Sequence, residues 1–98
     1  MVVGGCMYII LVYDIVTDES GKKILPKVYK TCKKYLSHIQ NSVFEGELSK
    51  AQFMKLEMEL GQYIRRDLDS VIVFHTRNEK WLNKEFWGKE DNKTSMFL

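Results

Sequence analysis

Residues 7–14 read MYIILVYD, the most apolar run of the chain followed by a carboxylate. The run is apolar at successive positions rather than at alternate ones, which is typical of a strand that is buried on both faces. We therefore predict a central strand from Tyr8 to Ile15. Because Asp14 falls where the apolar run stops, its carboxylate is held by a rigid strand in a place that water and ions can reach.

Two amphipathic helices are predicted after this strand. The first follows the turn residues 18–21 and ends near Tyr35, with Pro26 in its first turn. Its core side consists of residues at helical spacing: Ile24, Val28, Cys32, Tyr35 and Leu36. The second helix is predicted to begin at the capping box Ser49–Gln52 and to end near residues 67–69. Its core stripe is Phe53, Leu56, Leu60 and Ile64.

The remaining segments complete an α+β pattern. Residues 38–48 predict a β-hairpin or a bent strand, with Val43 and Phe44 as β-formers and Gly46 as a candidate bulge. Residues 70–75 read SVIVFH and predict a further strand. The order strand, helix, strand pair, helix, strand is that of the ferredoxin-like βαββαβ sandwich, in which two helices cover one face of an antiparallel sheet.

The second face of that sheet is left uncovered and is rich in bulky apolar side chains, so we predict a homodimer that forms through this face. Residues 80–98 are expected to add an extra C-terminal strand across the interface, followed by a tail. The apolar residues of this segment are Trp81, Leu82, Phe86 and Trp87. The chain of 98 residues is interpreted as a single domain, with residues 1–6 as an N-terminal extension or a cloning remnant.

The composition is that of an ordinary globular domain: 45% hydrophobic, 29% charged and a net charge of +2. Cys6 and Cys32 have no metal-ligand spacing and form no disulfide framework, which favours the reducing cytoplasm. No apolar run approaches the roughly 18 residues of a membrane span. The first residues also lack the basic flank and apolar core of a signal peptide. We therefore expect a cytoplasmic protein without a membrane partner.

Two interpretations of Asp14 fit the sequence. In the first, its side chain caps the turn that follows the strand. In the second, a two-fold axis near the strand end brings Asp14 of both subunits together, and a cation offsets their repulsion. Mg²⁺ suits such a site because it typically uses one or two carboxylates and otherwise keeps its waters. It also activates bound water and stabilises the transition state of phosphoryl chemistry. This interpretation makes Asp14 both metal ligand and catalytic residue, with one site per dimer.

A row of lysines follows the polar side of the first helix: Lys23, Lys27, Lys30 and Lys34. This lysine stripe is interpreted either as a solvated helix face or as a nucleic-acid-binding surface. It spans about 16 Å, which is long enough to follow several phosphates of a duplex without reading its sequence. Three arginines are candidates to extend it: Arg65, Arg66 and Arg77.

Two segments together resemble a known family. Residues 8–15, YIILVYDI, are similar to the opening strand of the small CRISPR-associated Cas2 proteins. Residues 40–48, QNSVFEGEL, are similar to the QxSVFEGxL signature of the same family, at the expected distance downstream. The similarity runs from Met7 to about Trp87. The chain departs from the family where residues 22–27 are lysine-rich instead of arginine-rich, and in residues 35–38, where relatives often have a glycine after the tyrosine.

The resemblance implies a homodimer in which Asp14 of both subunits faces a shared Mg²⁺ site. It implies metal-dependent endonuclease cleavage of RNA or double-stranded DNA in at least some members. It also implies a role in acquisition of CRISPR spacers, in which the dimer bridges dimers of the CRISPR integrase and holds duplex DNA. Two alternatives stay open: a stand-alone toxin-type ribonuclease of the same fold, and a ferredoxin-like module that binds a regulatory small molecule.

Overall fold

The structure is a computed structural model that describes residues 6–77, 85 and 87. Its elements are, in chain order, β1 (Met7–Asp14), α1 (Glu19–Tyr35), β2 (Ser37–Gln40), β3 (Val43–Leu48), α2 (Lys50–Gly61) and β4 (Ser70–Thr76). The strands form one antiparallel sheet in the order β2-β3-β1-β4. This is the predicted βαββαβ arrangement. The predicted C-terminal strand lies outside the described residues, and so does most of the N-terminal extension.

Strand β1 is one of the two central strands, since it is hydrogen-bonded along both of its edges, as β3 also is. Leu11 lies opposite Phe44 of β3 on one side and opposite Val73 of β4 on the other. The odd-numbered side chains of β1 point toward the helices, where Ile9 and Leu11 are fully buried. The even-numbered side chains point to the opposite face, which no described helix covers. The continuous apolar run of β1 therefore supplies apolar side chains to both faces of the sheet.

The core lies between the sheet and the two helices. Phe44 and Leu11 pack there with Val28 and Cys32 of α1 and with residues of α2. Burial raises the pKa of the Cys32 thiol to about 12, so this side chain stays protonated and behaves as a small apolar group. The predicted helix stripes are confirmed as core residues, partly or fully buried: Ile24, Tyr35, Leu36, Phe53, Leu56, Leu60 and Ile64.

Helix α1 begins earlier than the sequence pattern predicts. Asp18 is the N-cap and Glu19 the first helical residue, and the Gly21 amide donates to Asp18 Oδ1 at 2.7 Å. The prediction that Pro26 lies in the first turn was therefore wrong, since Pro26 lies inside the helix. Proline has no N–H, so it donates no hydrogen bond to the carbonyl one turn earlier.

Helix α2 begins as predicted but ends early. The capping box is present: Gln52 N donates to Ser49 Oγ at 3.2 Å, and Ser49 N donates to Gln52 Oε1 at 2.9 Å. The helix ends at Gly61, well before the predicted end at residues 67–69. The Asp69 carboxylate accepts the Arg65 amide at 2.9 Å, a hydrogen bond that stabilises turns instead of further helix.

The hairpin of β2 and β3 carries the whole QNSVFEGEL segment, residues 40–48. Gln40 lies opposite Val43, and Asn41 adopts a positive φ of 45°, a conformation that asparagine tolerates in tight turns. The register irregularity lies in β2 between residues 38 and 40, so the prediction of a bulge at Gly46 was wrong. Gly46 has a different role, because a Cβ there would lie 3.1 Å from Leu36 Cδ2. Its missing side chain lets Leu36 pack closely on β3.

Gly21 allows the first turn of α1 to pass close to the strand connection. A Cβ at residue 21 would lie 1.7 Å from the carbonyl oxygen of Val16, so the backbone has to move to accept any side chain. We expect Gly21→Ala to lower the free energy of unfolding by about 2 kcal/mol or more, because such overpacking is costly. Urea unfolding followed by circular dichroism measures this change.

Gly61→Ala is the matched control. Nothing lies within 4 Å of a Cβ at residue 61, and alanine is favoured over glycine in helices by up to about 1 kcal/mol. The control is therefore expected to be neutral or slightly stabilising. Equal stability of Gly21→Ala and the wild type would contradict the close approach at Val16.

Candidate functional site

Asp14 ends strand β1 opposite Ser70 of β4. Its side chain is exposed and follows Ile10 and Val12 on the even-numbered face of the strand, which points away from the helices. Within residues 6–77 its carboxylate makes no hydrogen bond and no ion pair. The capping interpretation does not hold, because the amide of Val16 donates to Asp69 Oδ1 at 2.9 Å instead. Asp14 is a strand-end carboxylate that is open to a ligand.

The face that carries Asp14 is the one that no described helix covers, and we call it the open face. It is apolar on β4 and at residues 10 and 12 of β1, and it also carries Glu45 and Glu47 of β3. On β4 it presents Ile72, which is 52% exposed, and Phe74, which is 53% exposed. The even-numbered residues of β1 lie between β4 and β3 on the same face. The Tyr8 hydroxyl donates there to the Glu45 carboxylate of β3. The open face thus combines exposed apolar surface with the carboxylate of Asp14, which has no partner within residues 6–77 and lies at one end of β1.

The connection after Asp14 is held by Arg65 and Asp69, which sequence reasoning did not bring together. Arg65 Nη1 donates to both carboxylate oxygens of Asp18, at 2.7 and 2.9 Å. Its Nη2 donates to the Val16 carbonyl at 2.8 Å, and its Nε donates to Asp69 Oδ2 at 2.9 Å. We call these contacts the Arg65 clamp. The clamp joins the turn before β4 to the connection between β1 and α1.

The charges of the Arg65 clamp are mutually stabilising. The Asp69 side chain is fully buried, and its hydrogen bonds from Arg65 hold its pKa well below the ordinary value of 3.8. Arg65 also lowers the pKa of Asp18, while the two carboxylates raise the pKa of Arg65. Arg65 is therefore not available to extend the lysine stripe, which corrects that expectation. No spacing rule in the sequence signals this contact, since Asp18 and Arg65 are far apart along the chain.

Two members of the lysine stripe have partners on the neighbouring helix and turn. Lys34 Nζ lies 2.5 Å from Glu59 Oε1 of α2, and the Tyr35 hydroxyl donates to the same carboxylate. This ion pair raises the pKa of Lys34 and lowers that of Glu59. Lys27 Nζ lies 5.9 Å from the centre of the Tyr63 ring, within cation–π range. The side of α1 that carries these lysines therefore borders α2.

Lys23 and Lys30 differ from these two, because they are exposed and form no ion pair within residues 6–77. Arg66 and Arg77 are likewise exposed and remain candidates for a basic surface. The four lysines are thus not equivalent. Their role in nucleic-acid binding stays a prediction, although the structure identifies which of them are already engaged.

The donor set of one chain does not form a metal cage. Among the described residues, no group of three or more His, Cys, Asp and Glu side chains is placed to hold a metal ion. Asp14 offers hard oxygen ligands from one carboxylate, and an exposed carboxylate without a partner among residues 6–77 suits an ion that keeps most of its waters. Mg²⁺ therefore fits the chemistry of Asp14, but only with further ligands from outside this chain.

The histidines do not contribute at the Asp14 end of the open face. His75 lies opposite Ile9, on the side of the sheet that faces the helices. His38 Nε2 lies 2.8 Å from the Asn41 carbonyl at the hairpin.

Neither helix among the described residues is long and apolar enough to cross a membrane.

These features define the class of protein: a ferredoxin-like α+β domain with an open apolar sheet face and a strand-end carboxylate on that face. The sequence model of the family described as CRISPR associated protein Cas2 matches residues 7–84. The chain belongs to the Cas2 family. The resemblance of its two sequence segments to that family is thereby confirmed.

Individual relatives agree with this assignment. A protein of Fusobacterium nucleatum named CRISPR-associated endoribonuclease Cas2 is 52% identical over 95 residues, which cover 97% of this chain and 90% of that protein. One of Moorella thermoacetica, named CRISPR-associated endoribonuclease Cas2 2, is 41% identical over 90 residues, which cover 91% of this chain and 99% of that protein.

Solved structures show the same fold. A crystal structure of Cas2 matches with a TM-score of 0.77 at 36% identity and covers 96% of this chain and 100% of its own. The crystal structure of Streptococcus pyogenes Cas2 at pH 6.5 matches with a TM-score of 0.67 at 32% identity. The match covers 76% of this chain and 89% of that chain.

Proposed function

We propose that two copies of this chain form a homodimer that holds one Mg²⁺ ion between their Asp14 carboxylates and cleaves phosphodiester bonds of RNA or double-stranded DNA. One observation carries this proposal: Asp14 is exposed at the end of β1 on the open face, and its carboxylate has no partner within residues 6–77. Relatives that are 52% and 41% identical are named endoribonucleases, which supports the same class of reaction here.

The dimer follows from the surface that the open face leaves in water. Ile72 and Phe74 are each about half exposed, and a second copy on this face would bury both. An isologous interface repeats each contact across a two-fold axis. If the axis passes near the ends of the two β1 strands, it brings the carboxylates of both Asp14 side chains to one place.

The ion and the residues of the chain would contribute differently to phosphodiester hydrolysis at this site. Bound Mg²⁺ supplies Lewis acidity toward the phosphate and lowers the pKa of a coordinated water. Asp14 provides one ligand per subunit, and the hydrogen bonding of β1 to both neighbours fixes its backbone. Neither described histidine lies at this end of the open face, so neither is placed to act as a general base there.

Replacing Asp14 tests the catalytic role. We expect Asp14→Asn to lower Mg²⁺-dependent cleavage by at least about a hundredfold, because it removes both carboxylates from the shared site. The dimer should persist, since Asp14 lies at the end of the apolar surface. Cleavage of single-stranded RNA and duplex DNA is measured with Mg²⁺ and with EDTA, and light scattering after gel filtration measures the dimer.

Asp67→Asn is the matched control, because Asp67 is an exposed carboxylate in the turn before β4. It should cleave at the wild-type rate. Equal cleavage by Asp14→Asn and the wild type would contradict the catalytic role of Asp14. A monomeric wild type would contradict the shared site.

We further infer that the lysine stripe holds the backbone of a nucleic-acid duplex. Each lysine that neutralises a phosphate releases counterions and steepens the salt dependence of binding. Replacing Lys23 and Lys30 with glutamine should reduce the slope of log affinity against log salt by about two, or about one per lysine. Replacing Lys27 and Lys34 should reduce it less, because Tyr63 and Glu59 already engage these lysines.

Fluorescence anisotropy of a labelled duplex at several salt concentrations measures both slopes. The paired variants are controls for each other, since each removes the same charge from the same helix. An unchanged slope with all four lysines replaced would identify the stripe as a solvated helix face.

Membership in the Cas2 family supports a cellular role in CRISPR spacer acquisition. We expect this chain to co-purify with the CRISPR integrase of its own organism when duplex DNA is present. Asp14→Asn should co-purify equally well, because bridging the integrase depends on surfaces rather than on cleavage. Affinity purification of the tagged chain followed by mass spectrometry measures the association.

Failure to recover the integrase would contradict the adaptation role. Ribonuclease activity and growth arrest in cells without any integrase would instead favour the toxin-type ribonuclease. A small molecule that binds between the subunits and leaves nucleic-acid binding absent would favour the regulatory module.

A further inference from the structure

The Arg65 clamp fastens the sheet immediately beyond the last residue pair of β1 and β4. That last pair is Asp14 and Ser70. Asp69 directly precedes Ser70, and its carboxylate accepts the amide of Val16 at 2.9 Å, two residues after Asp14. Arg65 donates to the carbonyl of the same Val16 at 2.8 Å. Both backbone groups of Val16 are therefore held by one ion pair.

The clamp also fixes the start of α1. Arg65 Nη1 forms a two-pronged contact with Asp18, whose carboxylate caps the helix through the Gly21 amide. The whole connection from Asp14 to the first turn of α1 is thus anchored at both ends. Because Gly21 is packed against the Val16 carbonyl, this connection has little room to shift.

Burial makes these contacts persistent. The side chain of Asp69 is 0% exposed, and that of Arg65 is 21% exposed. A buried carboxylate that accepts four N–H donors has lost its competing water, and a planar guanidinium holds its partners in fixed directions. Strand ends without such contacts open locally at small free-energy cost.

We propose that Arg65 and Asp69 are positioning residues that hold the Asp14 carboxylate in place for a shared divalent ion. The proposal rests on the proposed function of Asp14 as a metal ligand. Neither residue reaches the open face; they act through the backbone at residues 14–18. A fixed strand end keeps the carboxylates of both subunits ordered before the ion arrives, so the ion does not have to order them.

A loosened strand end has a specific kinetic consequence. The ion must then order Asp14 itself, which raises the Mg²⁺ concentration needed for half-maximal cleavage. Once the site is saturated, the ligands and the substrate geometry are the same as in the wild type. The effect therefore appears in the metal midpoint rather than in the rate at saturating metal, which separates positioning from catalysis.

Arg65→Gln is the first variant, and Lys50→Gln is its matched control, since it also removes one positive charge. Lys50 is the first residue of α2, is exposed, and forms no ion pair within residues 6–77. We expect Arg65→Gln to raise the half-saturating Mg²⁺ concentration about tenfold and to change the saturated rate less than about twofold. Arg65→Lys should have a half-saturating Mg²⁺ concentration between those of Arg65→Gln and the wild type. Lysine keeps the positive charge, but its ammonium cannot replace the planar guanidinium that donates to several acceptors at once. Lys50→Gln should match the wild type.

Two further measurements do not depend on cleavage. Binding of Mn²⁺, followed by electron paramagnetic resonance, should weaken by a similar factor in Arg65→Gln and should be lost in Asp14→Asn. Hydrogen exchange of the amides at residues 14–17 should accelerate in Arg65→Gln, while residues 43–48 exchange as before. All measurements are made well below the unfolding midpoint of each variant. Asp69→Asn, which keeps the shape of the side chain, replaces Arg65→Gln if the latter fails to fold.

The outcomes separate the two claims. A wild type that cleaves and binds Mn²⁺, with the same metal midpoint in Arg65→Gln, would overturn the positioning role and leave the proposed function intact. A less stable Arg65→Gln with unchanged midpoint and unchanged local exchange would reduce the clamp to a purely structural contact. A wild type that neither cleaves nor binds Mn²⁺ would overturn both claims together.

Discussion

Strand β1 is hydrogen-bonded along both edges, to β3 on one side and to β4 on the other. Its side chains must therefore satisfy two different environments at successive positions. Ile9 and Leu11 enter the core beneath the helices, while Ile10 and Val12 support the open face. The same alternation places Asp14 on the open face and not in the core. The position of the candidate site is thus a direct result of pairing at the centre of the sheet.

The order and type of the elements could be predicted from the sequence because they depend on local patterns. Apolar runs of strand length, helical spacing of apolar residues and the capping box at Ser49 are all read within a few positions. The start of α1 and the end of α2 could not be predicted, because distant residues decide them. Asp18 starts α1 while it is held by Arg65, which is 47 residues away in sequence. The helix-start signal of Pro26 was misleading, since the earlier cap at Asp18 prevailed.

The candidate site divides in the same way. The exposure of Asp14 and the apolar character of the open face follow from alternation in single strands, so both were predictable. The difference between engaged and unengaged lysines was not predictable, because it depends on how α1 packs beside α2. Glu59 and Tyr63 engage two of the four lysines, and no spacing within α1 indicates this. Arg65 is a similar case. From the sequence it is a candidate to contact phosphate, but in the structure it binds the Val16 carbonyl and the carboxylates of Asp18 and Asp69.

The two cysteines of the chain differ in ways that matter for chemical labelling. Cys32 is 0% exposed and its pKa is raised to about 12, so it presents almost no thiolate. Cys6 is exposed directly ahead of β1. A thiol reagent will therefore modify one position, about 27 Å from Asp14 at the opposite end of the same strand. A spin label or fluorophore attached there would report the distance between two copies if they associate, while leaving the carboxylate end of the strand untouched.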